Sequence, residues 1–227
     1  RRFIPMVLGG QEDRVQYETG EPLRIEDFSS GTEVSEHEWV SDRGIRWSGH
    51  LFFPWFNRYG PHVERRLRVE GGAARLTVLE KRGKPGRNRP NWPTLDCTFD
   101  EPRNWLAYKG LKITYRMDRE TEEGRRVLAP EISSEGIGVR MGDADGNVFF
   151  TSAGHTGLEY YRDGDWFVAL LSFEDTLGLN EKRARMKWLS LWSVVPADDD
   201  RPFGYTIRRI EAVPSLDRER PRTDALP

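Results

Sequence analysis

Along much of the chain apolar and polar residues alternate with a period of two, the mark of strands with one face on a core. The clearest stretch runs from Asp163 to Val195. There Phe167, Ala169, Leu171 and Phe173 alternate with Val168, Leu170 and Ser172, and Leu189 and Leu191 alternate with Trp188, Ser190 and Trp192. Phe203 to Val213 (FGYTIRRIEAV) supplies a further strand. Earlier strands are predicted at Pro22–Phe28, ended by Ser29-Ser30-Gly31, and on both sides of a Gly71-Gly72 turn within Arg66–Arg82. Others follow at Thr94–Asp100 and at Leu111, Ile113, Tyr115 and Met117. Ile137–Phe150 reads as a hairpin turned by Asp143–Asn147, residue types that tolerate positive φ. Glu181–Trp188 allows one or two helical turns, and no convincing amphipathic helix or internal repeat is present. Many short strands with turn signals between them predict an all-β fold, a β-sandwich of jelly-roll type.

Some segments break this pattern. Residues 1–20 read as an N-terminal arm, 21–214 as the β-sandwich domain, and 215–227 (SLDRERPRTDALP) as a polar linker or tail. Ser35–Asp42 reads equally as a short strand or an irregular segment. Gly44–Pro61 (GIRWSGHLFFPWFNRYGP) holds Trp47, Phe52, Phe53, Trp55, Phe56 and Tyr59 between glycines and prolines. It reads as an aromatic-dense loop that either plugs one end of the sandwich or forms a binding wall. Lys81–Pro93 is a basic, Pro-containing loop with Trp92 near its end.

Composition narrows the function. At 227 residues, one all-β domain is a normal size. The 35 basic and 37 acidic side chains nearly cancel, which leaves no global basic field for nucleic acid. No apolar run approaches the roughly 18 residues of a membrane helix, so no membrane partner is expected. The single cysteine, Cys97, excludes an internal disulfide and a Cys-based zinc site, and its alternation with Leu95 and Phe99 predicts a buried, inert thiol. The chain opens on Arg1, not methionine, and is expected to be a processed or excised piece of a longer protein. Eight tryptophans are the compositional anomaly. Such a number serves sandwich cores and sugar-stacking surfaces alike.

The order of IEDF, GGAARLTV, DEPRNWLAYKGLKITYRM, GVRMGDADGNVFF, GDWFVALLSFED, LSLW and YTIRRIEAV resembles the jelly-roll carbohydrate-binding modules of galactose-binding-like fold, attached to bacterial polysaccharide-degrading enzymes. The resemblance covers roughly Pro22 to Val213 and lies in strand texture, not in a diagnostic motif. It implies a polysaccharide or oligosaccharide partner, an attached catalytic domain, a monomeric module, and a secreted, cell-surface or periplasmic location. It also implies a structural calcium site, for which Glu26 and Asp27 fit the first-strand part. The last strand carries Arg208 and Arg209 where an Asp would complete it, which argues against calcium, an ion that takes oxygen ligands. No other cofactor is expected.

Alternation sorts the faces. With Leu111, Ile113 and Tyr115 inward, Lys112, Thr114 and Arg116 face out. By the same parity Arg140, then Thr94, Asp96 and Thr98, then Trp188, Ser190 and Trp192 face out. Were these strands in one sheet, its outer face would carry Trp188 and Trp192 about 13 Å apart, with Arg116 and Arg140 able to clamp a carboxylate or sulfate. A pyranose packs its C–H face on an indole and pairs its hydroxyls with polar side chains. The predicted saccharide-binding residues are Trp188, Trp192, Arg116 and Arg140, with Trp55, Tyr59 and Trp92 from the aromatic and basic loops. The competing structural reading buries both tryptophans and pairs the arginines with Glu.

A polysaccharide lyase or glycoside hydrolase is the alternative function, and a packing domain of a larger enzyme is a third. His50, Tyr59, His62 and His155, beside Arg58 or Asn57, offer an acid–base set. Asp96, Asp118, Glu131 and Glu211 offer carboxylates. Their spacing is not diagnostic, so a non-catalytic module is expected. His37, His50 and His62 lack metal-ligand spacing, and GKPGRN lacks the Lys-Ser/Thr of a phosphate loop.

Overall fold

The structure, a computed structural model, describes residues 20–53, 58–59, 65–78, 92–120, 126–128, 137–151, 158–193 and 203–216. In chain order the strands are β1 (Leu23–Glu26), β2 (Gly31–Ser35), β3 (Glu38–Ser41), β4 (Ile45–Phe53), β5 (Arg58–Tyr59), β6 (Arg65–Glu70), β7 (Ala73–Val78) and β8 (Trp92–Arg103). They continue with β9 (Gly110–Glu120), β10 (Arg126–Leu128), β11 (Gly138–Asp143), β12 (Val148–Thr151), β13 (Leu158–Asp163), β14 (Trp166–Ser172), β15 (Met186–Trp192) and β16 (Phe203–Val213). One 3-10 helix, Asn180–Arg185, precedes β15, where one or two helical turns are predicted.

These strands form two antiparallel sheets, a β-sandwich. The first runs β13-β14-β9-β16-β7-β6, with β1 beside β16 and β10 beside β9. The second runs β12-β11-β15-β8-β4-β3-β2, with β5 beside β4. The chain passes repeatedly between the sheets, and its first described strand pairs with its last, Leu23 opposite Ala212. Inter-sheet crossing of this kind is the connectivity expected of a jelly roll.

The core is built from the inward parity of both sheets. Leu111, Ile113, Tyr115, Met117, Tyr205, Ile207 and Ile210 from the first sheet meet Trp47, Leu95, Cys97, Phe99, Val139, Met141, Leu189 and Leu191 from the second. Polar groups stitch the layers together. The Tyr205 hydroxyl donates to the Leu191 carbonyl at 2.9 Å. The Trp47 indole donates to Glu26 Oε2 at 3.0 Å. At one end Trp105 stacks on Phe173, with ring centroids 5.9 Å apart. Cys97 is buried, and desolvation raises its thiol pKa well above the usual value.

Two sequence expectations are corrected. Gly44–Pro61 is not a loop throughout, because Ile45–Phe53 is the regular strand β4, hydrogen-bonded to β8 and β3 in mid-sheet. Ile45, Trp47 and Gly49 are its inward parity, and the small Gly49 lets Leu76 of the opposite sheet come close. Aromatic density concealed an ordinary period-two pattern. Secondly, β9 does not share a sheet with β8, β11 and β15. Arg116 therefore lies on the opposite outer surface from Arg140 and Trp188.

Candidate functional site

The outer face of the second sheet is a lattice of cross-strand neighbours. Leu189 and Leu191 are fully buried in the core, which turns Trp188, Ser190 and Trp192 outward. On β11 they face Gly142, Arg140 and Gly138 in turn, and on β8 they face Thr98, Asp96 and Thr94. Beyond β8 the lattice continues on β4 with Arg46, Ser48 and His50. One row across the strands thus reads Arg140, Ser190, Asp96, Ser48 and, on β3, Glu38.

Each indole lies over a glycine. A side chain at Gly142 would overlap the Trp188 ring, and one at Gly138 would overlap Trp192. The missing Cβ atoms let both rings lie down against the backbone, as aromatic residues do when they cover strand glycines. The two tryptophans then differ. Trp188 is half-buried, and the Arg140 guanidinium stands 5.7 Å from its ring centroid. Trp192 is only 8% exposed. The expectation of two open stacking platforms is corrected to one: Trp188 remains accessible, and Trp192 is a packed wall. Thr94, beside Trp192, is also buried, while Thr98 and Arg46 at the Trp188 end are exposed.

Ser190 lies between Trp188 and Trp192 along β15 and between Arg140 and Asp96 across the strands. These larger neighbours leave it 1% exposed, and its Oγ has no hydrogen-bond partner among the described residues. On the other side of Asp96, Ser48 Oγ and His50 Nε2 are 2.7 Å apart. His50 Nε2 is 3.9 Å from Asp96 Oδ2. Both contacts use the same ring nitrogen. A nucleophile relay uses opposite nitrogens, with the acid on one and the hydroxyl on the other, so this trio is a polar cluster and not such a relay. Arg46 pairs with Glu38 at 3.6 Å on the exposed edge.

The other predicted residues fall elsewhere. Tyr59 of β5 and Trp92 of β8 are both opposite Phe52 of β4, beyond the His50–Thr94 pair. Trp55, His62, Glu131 and His155 lie outside the described residues. Asp118 and Glu211 belong to the first sheet, and Glu211 sits 3.9 Å from Arg209.

Glu26 and Asp27 do not fit a calcium ion. Glu26 is buried, with Oε1 accepting the Asp27 and Phe28 amides at 3.0 Å each and Oε2 accepting the Trp47 indole. Asp27 Oδ1 accepts the Ser29 hydroxyl at 2.7 Å, and Oδ2 pairs with Arg24 at 3.0 Å and Arg43 at 3.6 Å. The Ser29 hydroxyl, with the two guanidinium groups, holds the Asp27 carboxyl below its usual pKa against a smaller opposing effect of burial. Oxygens already committed to donors and cations are poor ligands for a divalent ion. Among the described residues no three His, Cys, Asp or Glu side chains gather elsewhere into a metal site.

Arg46 and Ser48 are site residues that the sequence reading did not single out, and Ser190 was placed on the outward face but not among the binding residues. The signal for Arg46 and Ser48 lies in their alternation with the inward-facing Ile45, Trp47 and Gly49.

No family model matches the chain, and no curated protein matches it. Among solved structures it is similar to an agarase (11% identity, TM-score 0.45), covering 86% of this chain and 25% of that one. It is also similar to an exo-β-agarase (12%, TM-score 0.39) and to a β-1,2-glucanase from Parabacteroides distasonis (12%, TM-score 0.42). Each of these covers 86% of this chain and 26% of the other. The chain thus spans about a quarter of the length of these structures. At such scores the likeness carries no functional argument.

Proposed function

We propose that the outer face of the second sheet binds a saccharide chain and that the protein is a non-catalytic carbohydrate-binding module. The observation that carries this reading is the half-buried Trp188 ring, held flat over Gly142 beside Arg140, Ser190 and Asp96. The indole offers an apolar face to pyranose C–H groups. Arg140 and Arg46 donate to sugar oxygens, Asp96 accepts, and Ser48, Ser190 and His50 can do either. Ser190 Oγ, without a partner among the described residues, gains one when a sugar hydroxyl reaches the floor of the row.

Binding is favoured over bond cleavage by what the row offers. Glycoside hydrolysis uses two carboxylates on either side of the scissile bond. Here Asp96 has Ser48 and Ser190 as cross-strand neighbours, and Glu38 is engaged with Arg46. The role proposed is to hold an attached polysaccharide-degrading enzyme on its substrate outside the cytoplasm, through a galactose-binding-like sandwich.

Affinity electrophoresis against neutral, uronic and sulfated polysaccharides tests the reading, with reducing-end and unsaturated-product assays on each hit. Retardation without new chain ends, abolished by Trp188→Ala, is the expected result. New chain ends, or binding indifferent to Trp188→Ala, would refute it.

A further inference from the structure

The opposite outer surface carries a second arrangement that the saccharide face does not use. On β16 the segment Ile207-Arg208-Arg209-Ile210 contains a bulge, seen as a register shift against β9 between Ile207 and Arg209. Ile207 and Ile210 are both fully buried although three positions apart. Simple alternation would send one of them out. The extra residue in the bulged strand lets both isoleucines reach the core and leaves two consecutive arginines outside.

One of these arginines reaches an aromatic ring. The Arg208 guanidinium is 5.5 Å from the Trp166 ring centroid, and that of Arg116 is 5.0 Å from the same centroid. Trp166 opens β14 with the parity opposite to the core residues Ala169 and Leu171, so it stands on the outer face, half-buried. From Arg116 a row of cross-strand neighbours continues through Thr206 to Arg75 and Arg68. Three strand steps make this row roughly 14 Å long. Acidic residues at neighbouring positions are Glu211, tied to Arg209, Asp118, two positions along β9 from Arg116, Glu159, opposite Leu170, and Glu70 and Asp163 at the margins. Four arginines, Arg68, Arg75, Arg116 and Arg208, thus share one face of a chain with formal charge -2.

We infer that the outer face of the first sheet, centred on Trp166 with Arg116 and Arg208, is a second binding site, and that its ligand is an anionic polysaccharide bearing sulfate or carboxylate groups. A guanidinium stacked on an aromatic face keeps its N–H edge directed outward, and that edge matches a carboxylate or sulfate in a bidentate fashion. The indole beside it accepts the apolar face of the sugar that carries the anion. Single-stranded nucleic acid fits less well, because it stacks successive bases on several aromatic groups along a basic groove, whereas the arginine row leads away from one tryptophan. This site does not depend on the saccharide reading of the opposite face.

The test is affinity electrophoresis of the whole chain in gels containing dextran sulfate, uncharged dextran, or single-stranded DNA. Dextran sulfate is expected to retard the chain and dextran to leave this face unoccupied. Arg208→Ala, an exposed side chain whose loss leaves the core intact, is expected to weaken dextran sulfate binding roughly tenfold, as for one charge-assisted contact. Arg116→Ala should do the same. Trp188→Ala, on the far face, should not, which separates failure here from failure of the proposed function. An unchanged affinity in Arg208→Ala overturns the inference. So does an equal loss in Arg185→Ala, an exposed arginine far from Trp166, since that would indicate diffuse charge. Stronger retardation by DNA than by dextran sulfate would also overturn it, in favour of nucleic acid.

Discussion

The Trp188 indole rests on Gly142, its cross-strand neighbour, so closely that a methyl group there would occupy the space of the ring. The aromatic surface at this site is therefore set by a glycine on the adjoining strand as much as by the tryptophan. Gly142→Ala is expected to lift the ring, expose its underside and shift its fluorescence to the red. It should also weaken saccharide binding roughly tenfold, by disturbing one stacking contact. Near-ultraviolet circular dichroism, compared with saccharide titration of the same variant, would check that the loss is local.

The buried Glu26 carboxylate joins the two sheets. It caps the Asp27 and Phe28 amides and receives the Trp47 indole proton. Phe28 next to it has a φ of 52°, a left-handed conformation that a bulky residue rarely adopts. Its ring packs against Trp39 and Trp47 at centroid distances of 5.6 and 5.1 Å. Glu26→Ala strands three donors and releases this turn. A loss of about 3 kcal/mol is expected in denaturant unfolding. An unchanged midpoint would mean that water replaces the carboxylate without penalty.

Asp143 carries a pH dependence of stability. Burial pushes its carboxyl pKa up, but hydrogen bonds from Asn147 and Asp145, with the charge of Lys182, bring it below 3.8. Its oxygens accept the Asn147 amide at 2.8 Å and the Asp145 amide at 3.0 Å, closing the β11–β12 turn. A depressed folded-state pKa stabilises the fold above the unfolded value, and that contribution is lost as pH falls through the folded value. The stability gap between the native chain and Asp143→Asn should be constant near neutrality and close below about pH 4. Urea unfolding of both proteins across that range reads it directly.

Cys97 provides a probe of global opening. The thiol is buried between the sheets and desolvation raises its pKa, so the reactive thiolate is scarce. Thiol reagents at neutral pH should leave the folded chain unmodified and label it at the rate of unfolding. Rapid labelling of the native protein would show that the core between β8 and its neighbours opens locally.

Much of this arrangement is legible in the residues. Period-two parity assigns Leu95, Cys97, Leu111, Ile113, Leu189 and Leu191 to the core and Arg140, Asp96 and Trp188 to the surface. Parity does not say which sheet a strand joins, since that depends on long-range pairing, and Arg116 was placed with Arg140 for this reason. Nor does it separate an open tryptophan from a packed one. Trp188 and Trp192 have equivalent positions opposite glycines, yet one is half-buried and the other 8% exposed. Trp166 opens β14 directly after the turn at Gly164, so alternation on its N-terminal side does not mark its face. The Ile-Arg-Arg-Ile segment breaks simple alternation, and only its pairing with β9 reveals that a bulge resolves the break.

Saccharide binding through Trp188 is open to a calorimetric titration of the native chain and Trp188→Ala. The ligand would be whichever polysaccharide retards the native protein most. Saturable binding to the native chain is expected, with at least a tenfold loss in the variant, as for removal of a central aromatic contact, and no release of chain ends in either. Equal affinity for both proteins, or new chain ends from the native one, would contradict it.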